Sequence, residues 1–557
     1  MYWCAACCVG LLQTCAHRND VAPDGISYIE IAWATARSGL SHVVNGYWSP
    51  LYPFLLSLEF RLFQPSPQME FAAVHLCNFL VFIGSIACFQ LLLKELVLTR
   101  RPAFPLPQDS IAASERTFWL WGCVLFVWAT QFWLGPSWVT PDLCVAALVY
   151  LATALLLRIR RGLHSWPVFF LLGALLGLSY LAKMAMFLVA PVFLLGAIVL
   201  SRNSGLTLRA AALRALLATT VFGIFALPFT HALSEQKGRL TIGDAGRINY
   251  AEYVNRATLW VHWQGEPPGT GTPAHPTRKV YDSPAVFEFA APVAGTYPPW
   301  YDPSYWYEGI RPSLSFRNQL WAMWRCASAY LRFISKTGAL WLCLVAFWFS
   351  WKEAFCWGHF ASRTWLALLP SAATLAMYEL VHIEVRYVAP WALILLIGVV
   401  ARVWFKKSSS PKSISRLPLI IALTPVLAVV WVFARDISSL VRNAPDEQWM
   451  MAQQLRDLGI PPDTKIATLG IGSSVAWAHL AGARIIAEIP EKELTQFIAA
   501  EAGRKREIFD LLTSLGAAAV VTRNPAAAGS SEGWRVIPGT HYFVWLPPTA
   551  LQRQVKP

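Results

Sequence analysis

The sequence predicts a polytopic α-helical membrane protein of about eleven transmembrane helices, followed by a small C-terminal α/β domain. The 557 residues are 56% hydrophobic and only 14% charged, whereas soluble domains are about 25% charged. The 27 tryptophans are typical of a protein that places this residue at membrane–water interfaces. Apolar stretches suited to bilayer crossing recur as far as about residue 435, after which the composition becomes that of a soluble domain.

The charge and the cysteines argue against two other classes of protein. The net charge of +14 would suit a nucleic-acid partner, but the basic residues lie mostly in short loops between apolar runs, where they act as orientation signals. Most cysteines lie inside apolar segments and behave as small hydrophobic residues. Cys4, Cys7 and Cys8 have no second cluster to complete a zinc site. We therefore expect the lipid bilayer, and no nucleic acid, as a partner.

The membrane part is predicted to cover residues 1–435. Each apolar run of about 20 residues is interpreted as one crossing. The runs lie at about 2–16, 71–93, 117–134, 140–157, 166–182, 185–200, 212–232, 337–351, 364–380, 388–404 and 417–434. The run at 51–63 is shorter, and we expect it to lie in the membrane interface.

The loop charges predict the orientation in the plasma (inner) membrane. Basic residues collect in alternate loops, which the positive-inside rule makes cytoplasmic. They are Arg100, Arg101, Arg158, Arg160, Arg161, Arg202, Arg209, Arg214, Lys352, Arg363, Lys406, Lys407, Lys412 and Arg416. The N-terminus is then cytoplasmic. The first external loop 17–50, the turn 138–142, the long external loop 233–335, the turn 382–387 and the C-terminal domain 446–557 are extracytoplasmic.

Two of these external parts have recognisable patterns. In the long loop, the prolines of 296–307 argue against regular helix. The C-terminal domain is predicted to contain helices at 448–458 and 504–515, strands at 465–469, 484–489 and 518–522, and a closing hairpin at 534–546. Its Gly470–Ser474 turn resembles a phosphate-cradling loop only weakly. The pattern assigns this domain no role.

Two acids at the entrances of predicted helices are candidates for chemistry. Asp24 either caps a helix that begins near Gly25 or acts as a general base toward a hydroxyl. Asp142 follows Pro141 and either stabilises the start of its helix or shares a substrate, a proton or a divalent ion with Asp24.

Two cations are predicted on the same face. Lys183 lies between two apolar runs, where an ionisable residue is costly and tends to be functional; otherwise it only marks a turn. Arg386, in the sequence His382-Ile383-Glu384-Val385-Arg386-Tyr387, suits bidentate phosphate binding. The alternative is a local pair with Glu384 or Glu379.

Aromatic residues surround these candidates in the sequence. Tyr28, Trp48 and Tyr52 belong to the first loop and the segment after it, and Trp300 and Tyr301 belong to the long loop. They suit either stacking on sugar rings or anchoring at lipid headgroups.

The order of these features resembles the GT-C membrane glycosyltransferases. More narrowly, it resembles bacterial members related to protein mannosyltransferases and lipid A aminoarabinose transferases. The resemblance covers about residues 1–435. It consists of an acid in the first loop, a Pro-Asp at the fourth crossing, a Lys after the fifth and a Glu-x-Arg-Tyr near the tenth. Two departures are the Trp48-Ser49-Pro50 segment, where the aminoarabinose transferases carry Lys-Pro-Pro, and a single first-loop acid where other members often have a pair.

The resemblance implies transfer of a sugar, with inversion, from a polyprenyl-phosphate-linked donor to an acceptor hydroxyl. Asp24 and Asp142 match the acidic positions, and Lys183 and Arg386 match basic residues that hold the lipid phosphate. His382 and Tyr387 flank Arg386 and are expected to assist it. The acceptor is a lipid, a glycan or a protein. A divalent metal ion is left open, and no other cofactor is expected.

Two other functions remain open. One is a transporter or flippase for a lipid-linked sugar, which would carry out no transfer chemistry. The other is a membrane scaffold whose C-terminal domain binds a partner.

Overall fold

The computed structural model describes residues 2–99, 110–112, 115–257, 263–289, 291–336, 365–401, 404–406, 417–442, 445–529 and 531–548. The elements up to the long loop are α1 (Tyr2–Ala16), α2 (Pro23–Ser38), α3 (Leu51–Phe63), α4 (Glu70–Leu98), β1 (Ser110–Ala112), α5 (Glu115–Phe132), α6 (Asp142–Arg160), α7 (Trp166–Ala182), α8 (Met186–Asn203) and α9 (Leu208–Lys237). A 3-10 turn, Leu40–Val43, follows α2.

The long loop and the last membrane helices come next. They form α10 (Ala245–Tyr253), β2 (Arg278–Asp282), β3 (Ala285–Glu288), α11 (Pro298–Tyr301), α12 (Pro303–Trp306), α13 (Phe316–Lys336), α14 (Trp365–Glu379), α15 (Val385–Val400), β4 (Trp404–Lys406) and α16 (Leu417–Arg442). The C-terminal part contains α17 (Glu447–Asp457), β5 (Lys465–Leu469), α18 (Ala476–Ala481), β6 (Arg484–Ile489), α19 (Leu494–Ala499), α20 (Ala502–Ser514), β7 (Val520–Thr522), α21 (Pro525–Ala528), β8 (Trp534–Val536) and β9 (Phe543–Trp545). A short 3-10 turn, Glu491–Glu493, precedes α19.

The described helices include clear candidates for membrane crossing. α4, α6, α8 and α9 are each long and apolar enough to cross a bilayer, and α1, α7 and α15 are shorter apolar helices. Large apolar side chains point outward from them, as in Leu80, Leu195 and Leu227, which are about 60% exposed or more. Such outward apolar surface is what a lipid environment accommodates. The predicted crossing at 337–351 lies outside the described residues, and the count of eleven stays a prediction.

Small residues bring neighbouring helices into close contact. α7 packs along α9, and a side chain at Gly173 would collide with the backbone of Ala218. Such small-residue contacts let helix backbones approach each other in membranes, where dispersion and packing drive association.

A buried acid joins α4 to the end of α6. Glu95 is 2% exposed and accepts hydrogen bonds from Arg158 at 2.7 Å and Arg161 at 2.6 Å. Two of the arginines predicted as orientation signals therefore also form a structural ion pair. It lies at the end of the helix bundle opposite to Asp142, which begins α6.

The long loop is more ordered than its proline content predicts. Residues 296–307 contain two single-turn helices, α11 and α12, each with proline in the first turn. The expectation of no regular helix there is wrong, because proline lacks the N–H that is unsatisfied at a helix start anyway. The same loop contains α10 and the long helix α13.

One mixed sheet combines the long loop with the C-terminal part. The strand order is β2-β3-β6-β5-β7-β9-β8. β5 pairs in parallel with β6 and β7, whereas β3 runs antiparallel to β6. The predicted strands 465–469 and 484–489 are confirmed with those bounds, as is the antiparallel closing hairpin. The contribution of β2 and β3 was not predicted, and the domain boundary at 446 stays a prediction.

Candidate functional site

Two acid–cation pairs lie together at one end of the helix bundle. Arg386 donates a hydrogen bond to Asp24 at 2.7 Å, and Lys183 donates one to Asp142 at 2.5 Å. The pairs are linked, since Nε of Arg386 lies 3.8 Å from an oxygen of Asp142. Four residues separated by up to 362 positions therefore form one cluster.

Asp24 reaches the cluster from the first turn of α2. The helix begins at Pro23, and Ala22 occupies the cap position. Asp24 thus does not cap a helix near Gly25, as the alternative interpretation proposed, and its carboxylate points to Arg386 instead. A negative charge is favourable near a helix N-terminus, so an acidic side chain suits this position.

Asp142 and Lys183 come from neighbouring helix ends. Asp142 is in the first turn of α6 and is 4% exposed. Lys183 is the residue that ends α7, with extended backbone, and it lies between α7 and α8. Since α6 and α7 run in opposite directions, the start of one and the end of the other meet at the same end of the bundle.

Arg386 lies in the first turn of α15, beside His382 and Tyr387. Its partner is Asp24 and not Glu384, which instead contacts His382 at 3.1 Å. The ring of Tyr387 lies 3.3 Å below the Lys183 ammonium and 5.2 Å from the Arg386 guanidinium. Tyr387 therefore supports both cations through its aromatic face.

His382 is held at the edge of this cluster by stacking. Its ring lies 3.7 Å from that of Tyr253, with an angle of 7° between the planes. Tyr253 ends α10, so the contact joins the turn before α15 to the long loop.

A cavity of about 390 Å³ opens onto the four charged residues. Its wall combines these charges with aromatic and apolar side chains, as is common for ligand sites. The lining residues include Asp24, Tyr28, Tyr47, Trp48, Thr140, Asp142, Lys183, Met184, Asn249, Tyr250, Tyr378, His382, Arg386 and Tyr387. All six residues predicted for chemistry or phosphate binding are among them.

The five predicted aromatic residues divide into two groups. Tyr28 and Trp48 line the cavity and touch each other edge to face at 5.1 Å. Tyr52, Trp300 and Tyr301 lie outside the lining that the described residues form. Tyr52 packs on Tyr28, and Trp300 packs on Trp48. Tyr52 and Trp300 therefore support the wall from behind.

Sequence reasoning missed several residues of the wall. Tyr47, Asn249 and Tyr250 line the cavity, and the last two belong to α10 of the long loop. The polar face of 245–253 is the only local signal, and it does not distinguish a site from a solvated helix.

Burial shapes the electrostatics of the cluster. It lowers the pKa of Lys183 to about 8, although Asp142 opposes this effect. Lys183 is therefore a cation at neutral pH that loses its charge under mildly alkaline conditions.

The donor set does not form an evident metal centre. Within the described ranges, no group of three or more His, Cys, Asp and Glu side chains has an arrangement that could hold a metal ion. Asp24 and Asp142 each have a cationic partner.

These features define a class: a multi-pass membrane protein with a charged, aromatic-walled cavity at one end of its helices. Solved structures share its architecture. ArnT from Cupriavidus metallidurans, a lipid A aminoarabinose transferase, matches in the apo state with a TM-score of 0.51 and 12% identity, over 96% of this chain and 95% of that chain. The same protein bound to undecaprenyl phosphate matches with a TM-score of 0.54 and 13% identity, over 98% and 96%. An oligosaccharyltransferase from Archaeoglobus fulgidus is more distant, at 0.49 and 12%, over 96% and 71%.

The chain has the GT-C fold over nearly its whole length. The fold expected for residues 1–435 is therefore confirmed, and the likeness also extends beyond residue 435, where none was expected. No protein-family model matches the sequence, and no curated protein matches it.

Proposed function

We propose that this protein is an integral membrane glycosyltransferase of the GT-C type. It transfers a sugar from a polyprenyl-phosphate-linked donor to an acceptor hydroxyl on the extracytoplasmic face of the plasma membrane. The observation that carries the proposal is the cluster of Asp24, Asp142, Lys183 and Arg386 around one cavity. The binding of undecaprenyl phosphate by a protein of the same fold supports the choice of donor.

Lys183 and Arg386 bind the phosphate of the donor. A guanidinium has five N–H donors, and only some of those of Arg386 are used by Asp24 and Asp142. The others remain geometrically suited to phosphate oxygens. His382 lines the same cavity and adds a further polar contact.

Asp24 accepts the proton of the acceptor hydroxyl. The hydroxyl oxygen attacks the anomeric carbon and forms the new glycosidic bond, while the bond from that carbon to the phosphate oxygen breaks. The electron pair leaves with the lipid phosphate, which gains one negative charge. Attack from the side opposite the leaving group inverts the configuration.

The cations act mainly on this developing charge. Lys183 and Arg386 are already placed in a largely buried site, where preorganised charges stabilise a transition state more strongly than in water. Asp142 holds both cations in position. Tyr28 and Trp48 provide an aromatic wall against which the sugar ring packs.

The test is a transfer assay on the purified full-length protein. Labelled polyprenyl-phosphate pentoses and hexoses are supplied with envelope lipids, glycans and peptides as acceptors, and covalent products are separated by mass. We expect one donor class to give a product, and Arg386→Ala to lose it. Asp20→Asn is the matched control, since this first-loop acid is 69% exposed and pairs with His17.

The same samples distinguish the transporter alternative. Protein in sealed vesicles is given the labelled lipid, and the side on which the label appears is followed. Movement of label across the membrane without any covalent product would contradict the proposed transfer.

A further inference from the structure

A buried histidine of the C-terminal part lies between two carboxylates of the membrane part. Nδ1 of His479 is 3.0 Å from Glu30, and Nε2 is 3.0 Å from Glu70. The three side chains are 11%, 10% and 6% exposed. His479 belongs to α18, whereas Glu30 is in α2 and Glu70 begins α4.

The geometry suits the doubly protonated ring. A neutral imidazole has a single N–H donor, yet both nitrogens of His479 face a carboxylate oxygen. Burial alone would lower the pKa of His479, but Glu70 and Glu30 outweigh it and raise the pKa to about 10. His479 is therefore a cation at neutral pH that faces both carboxylates.

Other groups fix the two acids in place. The indole N–H of Trp33 donates to Glu70 at 2.6 Å, and the backbone N–H of Thr296 donates to Glu30 at 3.0 Å. Arg37 is a further charge near Glu70. Phe71 stacks on His479, with the ring planes at 15°.

This contact leads directly to the candidate site. Glu30 is six residues after Asp24 on α2, about 9 Å along the helix axis. The same helix binds the long loop, because Ser27 donates to the backbone oxygen of Trp300 at 2.9 Å. That oxygen also accepts a hydrogen bond from Trp48 at 3.0 Å. A shift of α2 would therefore move both the carboxylate and the aromatic wall.

We propose that His479 is a positioning residue: by bridging Glu30 and Glu70 it holds the C-terminal part of the chain on α2 and thereby fixes Asp24 in the cavity. The kinetic part of this inference rests on the proposed function. The structural part does not, because the contact is independent of what the cavity binds.

Amide hydrogen exchange of the full-length protein tests the structural part. His479→Ala is expected to speed exchange in α2 at least about tenfold, while α20, remote in the same C-terminal part, is unchanged. His541→Ala is the matched control, because this histidine is 83% exposed and contacts Glu447. If α2 exchanges at the wild-type rate in folded His479→Ala protein, the proposal is overturned.

Three further measurements separate positioning from simple folding. In the transfer assay, His479→Ala should lower kcat about tenfold or more, with little change in the KM for the donor. Added imidazole, which fits the space left by the ring, should restore part of kcat.

Glu30→Gln is the second variant, to be used if His479→Ala does not fold. It keeps the side-chain shape and should also speed amide exchange in α2. If α2 in Glu30→Gln exchanges at the wild-type rate, the positioning role of His479 is overturned. If α2 exchanges faster in the variants but the wild-type protein transfers no sugar, only the proposed function is overturned.

Discussion

Single residues of the cluster depend on one another, since each carboxylate has a cation and each cation shares the face of Tyr387. The charge on each cation is therefore the property to perturb first. Lys183 can lose its proton, whereas the guanidinium of Arg386 keeps its charge, and each cation therefore has its own prediction.

Lys183 should impose an alkaline limit on activity. Its pKa of about 8 means that the ammonium is present below that pH and lost above it. We expect kcat/KM for the donor to fall about tenfold per pH unit above the pKa. The measurement is a pH profile of wild type and Lys183→Arg. The arginine variant keeps its charge and should lose this alkaline fall; an identical fall in both proteins would show that another group is responsible.

Arg386 should not be replaceable by lysine. A lysine is a point charge that cannot contact Asp24 and a phosphate in the same forked geometry. Arg386→Lys should therefore reduce kcat/KM by about 10²-fold, measured with the donor that wild type uses. Arg442→Lys, at an exposed helix end, is the control. If Arg386→Lys had wild-type activity, the charge of this residue would matter and its forked geometry would not.

Pairs of elements are held by buried ion pairs as well as by apolar packing. Glu95 joins α4 to the end of α6 far from the cavity, so its loss should affect stability and not chemistry. Glu95→Gln removes the charge that Arg158 and Arg161 share, at a cost of about 1–3 kcal/mol.

The readout is the apparent melting temperature in detergent, compared at one heating rate because such unfolding is often irreversible. Glu95→Gln should melt earlier than wild type, and Glu115→Gln, at the exposed start of α5, should not. If all three proteins melted at the same temperature, the ion pair would make no net contribution to stability, as is the case for many partly exposed ion pairs.

At the scale of the whole molecule, one sheet connects the long loop to the C-terminal part, because both contribute strands to it. Val286 in β3 is fully buried among C-terminal residues such as Ile486 and Phe497. Val286→Asp places an unpaired charge there, which costs several kcal/mol. It should release the hairpin Arg278–Glu288 to limited proteolysis and lower transfer activity.

Val536→Asp is the matched control, since this residue lies in β8 of the same sheet and is 65% exposed. Cleavage of the hairpin in both variants, or in neither, would contradict a specific role for the β3–β6 pairing.

Local patterns were enough for much of this molecule. The strands at 465–469 and 484–489 follow from short apolar runs bounded by turns, and the order of Asp24, Asp142, Lys183 and Arg386 predicted the GT-C fold. Each strand run, and each short motif in that order, lies within a few residues of chain.

Pairings between distant segments could not be predicted. Neither the addition of β3 to β6 nor the contact of His479 with Glu30, 449 positions apart, leaves a local signal. A lone histidine in an apolar turn has the same appearance whether it is a domain contact or a surface residue. The one-turn helices of 298–306 were missed for the opposite reason, because the prolines that begin them suggested the absence of helix.

The role of Asp24 as a general base is decided by the transfer rate of Asp24→Asn, measured on full-length protein with the donor that wild type uses. Asparagine can still accept the hydrogen bond of Arg386 but cannot take the proton of a hydroxyl. The rate should fall about 10²–10⁴-fold, with binding of the donor retained and Asp20→Asn unaffected. Transfer by Asp24→Asn at the wild-type rate would contradict the account.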